Sequence, residues 1–73
     1  MHSMKPDKER RKIDGDWVRA LRKEMDLNQT EFAARLNVSV PSVARWETNV
    51  FRPTHLAAKA LLQLAATVRS GGK

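Results

Sequence analysis

The stretch that decides the fold is residues 28–47, NQTEFAARLNVSVPSVARWE, in which two short helical patterns stand on either side of a very short turn. Asn28 is a candidate N-cap and Glu31 follows three residues later, which is the spacing of a capping box. Asn37 occupies the place where helices commonly end in a left-handed residue. Ser39 is placed to cap the second pattern. The stretch therefore predicts a helix-turn-helix.

The second helical pattern has a proline at its second position and has two different sides. Pro41 leaves only the N–H of Ser42 for the Ser39 cap, and it costs little because first-turn N–H groups have no partner within the helix. At about 100° per residue, one side of the helix carries Val43, Trp46 and Glu47. The opposite side carries Pro41, Ala44, Arg45 and Thr48. This outward side is small apart from its arginine, a shape that fits a DNA major groove and would set Arg45 against a guanine edge.

At these residues the chain resembles the phage repressor and Cro-like family of small prokaryotic DNA-binding domains, also described as lambda-repressor-like or XRE-type. LNQTEFA at residues 27–33 is similar to the start of the family's second helix. VS at 38–39 and VARWE at 43–47 are similar to its turn and recognition helix. The resemblance covers about residues 14–65. It implies a sequence-specific transcriptional regulator that reads double-stranded DNA with its third helix.

The expected fold is all-α, a compact bundle of about four helices that contains the helix-turn-helix. Asp14 and Thr54 are candidate N-caps for the first and last helices. The helices are predicted at about 15–25, 29–36, 40–48 and 55–69, within one domain at 13–70. We expect 1–12 to be a flexible basic arm and 71–73 a flexible tail. The arm either follows DNA or serves only as a solubilising tail.

Length and composition exclude several classes of protein. A chain of 73 residues with 41% hydrophobic residues allows one small domain. There is no cysteine, and the two histidines stand without a metal cluster or a nucleophile and base pair, so we expect no enzyme, no metal and no cofactor. No apolar run is long enough to span a membrane and the start does not resemble a signal peptide. The expected location is cytoplasmic.

The net charge of +6 is distributed unevenly. Residues 1–13 carry a net charge of +3, residues 14–47 a net charge of −1, and residues 48–73 a net charge of +4. The helix-turn-helix itself is therefore not basic. Attraction to phosphates would have to come from its flanks, from helix N-termini and from Arg45.

Contacts to DNA are predicted in two groups. The predicted base contacts are Arg45, Ala44, Pro41 and Val40, the last three either touching a thymine methyl or only permitting close approach. The predicted backbone contacts are Asn28, Gln29, Ser42, Thr48 and Arg52. Asn28 and Ser42 lie beside helix N-termini. Gln29 is a good helix former, and the resemblance implies that it clamps a phosphate.

A structural ion pair is predicted inside the bundle. Arg22 falls on the inward face of the first helix, one turn after Val18, and a buried arginine needs a partner. Glu47 is the candidate on the inner side of the third helix. The resemblance supports this pairing, which we interpret as structural.

Candidate contacts with other protein chains are apolar residues outside the helix-turn-helix. Val50 and Phe51 are expected to tuck under the last helix, or else to form an exposed dimer contact. Leu62 lies off the stripe that is predicted to close the bundle, namely Ala57, Ala60, Leu61, Leu64 and Val68. An apolar residue there is either incidental or a place where a partner subunit docks. One recognition helix reads few bases, so we expect a homodimer that is weak in solution and completed on DNA.

Two further functions are weighed against DNA reading. The main alternative is an antitoxin-like protein-interaction module that binds a toxin and whose DNA binding is autoregulatory. Non-specific association with RNA or an anionic surface is the other. It lacks support because the chain has only four aromatic residues, and Phe32 and Trp46 are predicted to be buried.

Overall fold

Residues 13–71 are described by the computed structural model, with side chains to Arg69, and they form four α-helices. These are α1 (Gly15–Glu24), α2 (Gln29–Leu36), α3 (Val40–Glu47) and α4 (His55–Gly71). The all-α class and all four predicted helices are confirmed. Each end lies within two residues of its predicted position. The predicted arm at 1–12 lies outside the described residues, as do 72–73, whereas residue 71 of the predicted tail belongs to α4.

The ends of α2 are capped as the sequence predicts. The side chain of Asn28 accepts a hydrogen bond of 2.8 Å from the N–H of Glu31, whose carboxylate accepts one of 2.9 Å from the N–H of Asn28. This is a complete capping box. At the other end Asn37 is left-handed, with φ 61°. Both ends of the helix are therefore fixed by local sequence.

The starts of the other helices are also capped by the expected side chains. Asp14 accepts from the N–H of Trp17 at 2.9 Å. Ser39 accepts from the N–H of Ser42 at 3.3 Å, the donor left by the proline of the first turn. Thr54 accepts from the N–H of Ala57 at 3.2 Å. These caps satisfy backbone donors that have no partner within their helix.

The core is formed by side chains from all four helices and from the segment before α1. Its largest fully buried members are Phe32, Ile13, Leu61, Val18 and Val43. They lie in one cluster, which also includes Trp46. The short helices are therefore held by tertiary burial, as expected for segments too short to be stable alone.

The buried side of α4 differs from the predicted stripe. Ala58, Leu61 and Ala65 are its buried residues. The remaining predicted residues, Ala57, Ala60, Leu64 and Val68, are only half-buried. Leu62 is also half-buried and packs partly against the core, and its role as a partner contact stays a prediction. The reason for the half-burial is that α4 packs against the core along the line of Ala58, Leu61 and Ala65. The residues on either side of this line are therefore only partly covered.

The loop between α3 and α4 also corrects an expectation. Val50 and Phe51 are 61% and 57% exposed, so they do not tuck under α4. Their N–H groups donate to the carbonyl oxygen of Arg45 at 2.9 and 3.3 Å, which folds the loop back on the end of α3. Pro53 is the buried residue of this segment. Leu56, in the first turn of α4, is exposed as well, at 77%.

Candidate nucleic-acid interface

The two sides of α3 are as the sequence predicts. Val43, Trp46 and Glu47 are buried. The other side is exposed at Pro41, Arg45 and Thr48 and half-buried at Val40, Ser42 and Ala44. An anchored helix therefore presents small side chains and one arginine to solvent.

The start of α1 lies directly against the end of α3. A Cβ atom added to Gly15 would lie 2.3 Å from the carbonyl oxygen of Glu47 and 2.9 Å from that of Trp46. The N–H of Gly15 donates to the side chain of Asn49 at 2.9 Å, and Asn49 is left-handed, with φ 63°. Close backbone approach and this hydrogen bond together fix α3 relative to α1.

The predicted ion pair between Arg22 and Glu47 is present and has two hydrogen bonds. Nε and Nη2 of Arg22 donate to Oε2 and Oε1 of Glu47 at 2.7 and 3.1 Å. Nη1 of Arg22 donates to the carbonyl oxygen of Leu27 at 3.1 Å, and Nη2 of Arg19 donates to the carbonyl oxygen of Glu47 at 3.3 Å. Glu47 itself is only 6% exposed. The two hydrogen bonds from the positively charged Arg22 offset the cost of removing the Glu47 carboxylate from water.

Gln29 completes this network, a contact that sequence reasoning missed. Its Nε2 donates to Oε1 of Glu47 at 3.1 Å, so the carboxylate joins α1, α2 and α3. An amide nitrogen carries two hydrogens, and the bond to Glu47 uses one of them. The two residues belong to different helices, so the periodicity of either helix does not reveal the contact.

The charges of this network shift two pKa values in the expected directions. Burial raises the pKa of Glu47, but hydrogen bonds from Arg22 and Gln29 and the positive charges of Arg22 and Arg19 outweigh it, so the net shift is downward. The hydrogen bond to Glu47 raises the pKa of Arg22 against the opposing effect of burial. Both groups are therefore charged at neutral pH.

Arg45 occupies the exposed side of α3 with its guanidinium over an aromatic ring. Cζ of Arg45 lies 5.7 Å from the centroid of the Phe51 ring. Arg45 takes part in neither of the two ion pairs found within residues 13–69. The hydrogen bonds of Arg45 in this part of the chain use its backbone. Its side-chain N–H groups are thus available to an acceptor on another molecule.

The predicted backbone-contact residues lie at helix ends and in the loop. Besides its capping role, Asn28 is exposed beside Gln29 at the start of α2. The hydroxyl of Ser42 lies 2.9 Å from that of Ser39 at the start of α3. Thr48 donates its hydroxyl to the carbonyl oxygen of Ala44 at 3.0 Å. Arg52 is exposed in the following loop.

The described residues contain neither a metal-binding cluster nor a membrane-spanning helix. Residues 13–71 contain no group of three or more histidine, cysteine, aspartate or glutamate side chains that could hold a metal ion. Within the same range, no helix combines the length and the apolar character that a membrane span needs.

The arrangement of α2 and α3 around a short turn defines a helix-turn-helix domain. Comparison with protein families gives the same class. A family model described as Helix-turn-helix matches residues 18–67. The chain belongs to this family of XRE or lambda-repressor-like DNA-binding regulatory domains, which are not typically enzymes. No curated protein and no solved structure shows a significant match to the chain.

Proposed function

We propose that the protein is a sequence-specific transcriptional regulator that reads the major groove of double-stranded DNA with α3. The observation that carries the proposal is the exposed side of α3, where the guanidinium of Arg45 stands among small side chains while Trp46 and Glu47 anchor the opposite side. Arg45 would donate two hydrogen bonds to a guanine. Val40, Pro41 and Ala44 would contact a thymine methyl or allow close approach. A protein with this role would work in the cytoplasm, where the DNA is.

The backbone contacts would come from residues around this reading side. Asn28, Gln29 and Ser42 lie in the first turns of α2 and α3, where partial positive charge favours phosphate. Thr48 and Arg52 follow α3. Gln29 would donate its second amide hydrogen, the one that Glu47 does not accept, to a phosphate oxygen. Gln29 could therefore bond to Glu47 and to DNA at the same time.

A homodimer would supply the second half-site. One α3 helix reads too few base pairs for useful selectivity, so binding to a palindrome as a symmetric pair fits the fold. The candidate contacts are Val50, which is exposed, and Leu62, which is half-buried on α4. Such a small patch is consistent with association that is weak in solution and completed on DNA.

The decisive experiment is selection from a random duplex library, followed by titration of the enriched and a random duplex at several salt concentrations. The affinity should fall with salt with a slope of about −0.9 per neutralised phosphate. Arg45→Ala should reduce discrimination by about 1 to 3 kcal/mol, whereas Arg52→Ala should weaken binding to all sequences alike. Lys23→Ala, an exposed change on α1, is the control. No enrichment and no binding at low salt would contradict the proposal.

The alternative is an antitoxin-like interaction module, and one surface favours it. An apolar groove of about 230 Å³ lies between the end of α2 and the start of α4, beside the exposed Leu56. It is lined by Leu36, Val38, Trp46, Thr54, Leu56, Ala57 and Ala60. If this is the main site, Leu56→Glu would abolish capture of a protein partner while leaving DNA affinity unchanged. Loss of selective DNA binding in that variant would argue against the alternative.

A further inference from the structure

The ring of Phe51 is placed by the backbone of the residue whose side chain it contacts. After α3 the chain reverses at Asn49, whose φ is 63°. The N–H of Phe51 then donates to the carbonyl oxygen of Arg45 at 3.3 Å, beside the 2.9 Å bond from Val50. The same turn sets the Phe51 ring centroid 5.7 Å from Cζ of Arg45. Arg45 is thus held at both its backbone and its side chain by one short loop.

The exposure of Phe51 shows that this contact is not a by-product of core packing. The ring is 57% exposed and lies outside the buried cluster. A large aromatic side chain left at the surface gives up much of the stabilisation that burial would bring. A distance of 5.7 Å falls within the range in which a guanidinium is attracted to the face of a ring.

The contact leaves intact what Arg45 needs for reading a base. An interaction with the π face of a ring consumes none of the five guanidinium N–H donors. A flexible arginine loses rotamer freedom when it binds a base edge, and a side chain already held in place loses less. Restraint by Phe51 therefore favours the bound geometry without competing for the hydrogen bonds.

We propose that Phe51 is a positioning residue that holds the Arg45 guanidinium for base reading and so sets how strongly the protein discriminates at that base pair. The inference rests on the proposed function of α3. Phe51 then acts through Arg45 and makes no base contact of its own. Its removal should weaken the preference for one base pair and leave non-specific attraction to DNA unchanged.

The test combines a variant of the ring with a variant of the arginine. The probes are the duplex most enriched by the wild-type protein and a second duplex altered at the base pair where Arg45→Ala loses its preference. The quantity measured is the ratio of the two Kd values at fixed salt. Phe51→Leu keeps apolar bulk and removes the ring face, and Phe51→Tyr keeps the ring. Lys23→Ala is the control, because it changes an exposed side chain on α1 that has no place in the DNA or dimer contacts. Val50→Ala reports separately on contact with a second copy of the chain.

Phe51→Leu is expected to reduce the Kd ratio about two- to fivefold, the size of an exposed cation–π contact, with Phe51→Tyr close to wild type. In the Arg45→Ala background, Phe51→Leu should have no further effect, because the two residues act as one unit. NMR of the free protein gives an independent readout: ring-current shifts of the Arg45 side-chain protons should be present in wild type and absent in Phe51→Leu. The melting temperature should stay unchanged.

Three results would overturn the inference. A Kd ratio that is unchanged by Phe51→Leu, while Arg45→Ala abolishes the preference, would leave the proposed function standing and remove the role of Phe51. An equal effect of Phe51→Leu with and without Arg45 would show that the ring contacts DNA or a second copy directly, and in the second case Val50→Ala would share the effect. A wild-type protein that selects no sequence would overturn the proposed function and this inference together.

Discussion

At the scale of single residues, Glu47 connects three helices through one carboxylate. Arg22 from α1 and Gln29 from α2 both donate to it, and it ends α3 with almost no exposure to solvent. A buried carboxylate is stable only when its hydrogen-bond partners stay in place. The Glu47 carboxylate therefore fixes the positions of α1, α2 and α3 relative to one another. The network therefore couples the placement of α3 to that of α1 and α2.

Arg22→Ala should destabilise the fold by about 3 to 5 kcal/mol, because it leaves the Glu47 charge buried without its main partner. Urea unfolding followed by circular dichroism measures the change. Lys23→Ala, which removes an exposed charge from the same helix, is the control and should change stability by less than about 0.5 kcal/mol. Equal unfolding curves for the two variants would show that the ion pair contributes no stability.

The lowered pKa of Glu47 predicts a specific pH dependence. Because its folded pKa lies below its unfolded value, the carboxylate stabilises the fold above about pH 4.3 and loses that contribution as pH falls through the folded pKa. Glu47→Gln cannot titrate, so the stability gap between wild type and this variant should be largest at pH 7 and shrink in acid. Thermal unfolding from pH 7 to pH 3 tests this. A gap that is constant with pH would contradict the assignment.

At the scale of elements, the contact between α1 and α3 depends on a glycine. Gly15→Ala in an open helix would stabilise by about 1 kcal/mol through helix propensity. Here the added Cβ would meet backbone atoms of Trp46 and Glu47, which cannot rotate away. We expect a net loss of about 1 to 3 kcal/mol, the usual cost of overpacking, measured by urea unfolding. Unchanged or increased stability would mean that α1 can move away from α3 without cost.

Two left-handed asparagines offer a matched comparison at the ends of neighbouring helices. Asn37 and Asn49 have φ of 61° and 63°, and glycine would relieve the strain at either position. Only Asn49 also accepts a hydrogen bond across the bundle, from Gly15 at 2.9 Å. Asn37→Gly should therefore be neutral or slightly stabilising, whereas Asn49→Gly should cost about 1 kcal/mol. Melting temperatures of the two variants check this. Equal shifts would argue that the hydrogen bond from Gly15 to Asn49 contributes no stability.

At the scale of the whole molecule, the positive charge is concentrated in the segments before and after the helix-turn-helix in the sequence. Residues 14–47 have a net charge of −1, against +3 before them and +4 after them. If α3 reads the base sequence as proposed, most of the attraction to phosphates would come from other parts of the chain. This separation predicts that the salt dependence of DNA binding can be changed without changing which sequence is preferred.

Glutamine substitution of the basic residues Lys8, Arg10, Arg11 and Lys12 in the 73-residue chain tests this. If the run binds phosphates, the salt slope should fall in magnitude by about 0.9 for each phosphate that is no longer neutralised, with the selected sequence unchanged. Lys23→Gln controls for a change of charge within the bundle. An unchanged slope would favour the interpretation of the run as a solubilising tail.

How much of the molecule could be predicted depends on the range of the interactions involved. The caps at Asn28 and Ser39 follow from residues three positions apart, so the sequence predicted them correctly. The placement of Val50 and Phe51 under α4 was predicted wrongly, and Ala58 and Ala65 were not predicted to belong to the buried stripe of α4. Those outcomes depend on how α4 rotates against the core and on a loop that bonds back to Arg45, neither of which leaves a periodic signal.

For the candidate site, the sequence by itself determined the helix-turn-helix, the two sides of α3 and the position of Arg45, because helical periodicity and capping are local. It also predicted the pair of Arg22 and Glu47 through a charge on an inward face. Only the tertiary structure decided that Gln29 joins Glu47 and that Phe51 lies under Arg45. These contacts join separate elements, and their geometry is fixed by packing, which a linear pattern does not encode.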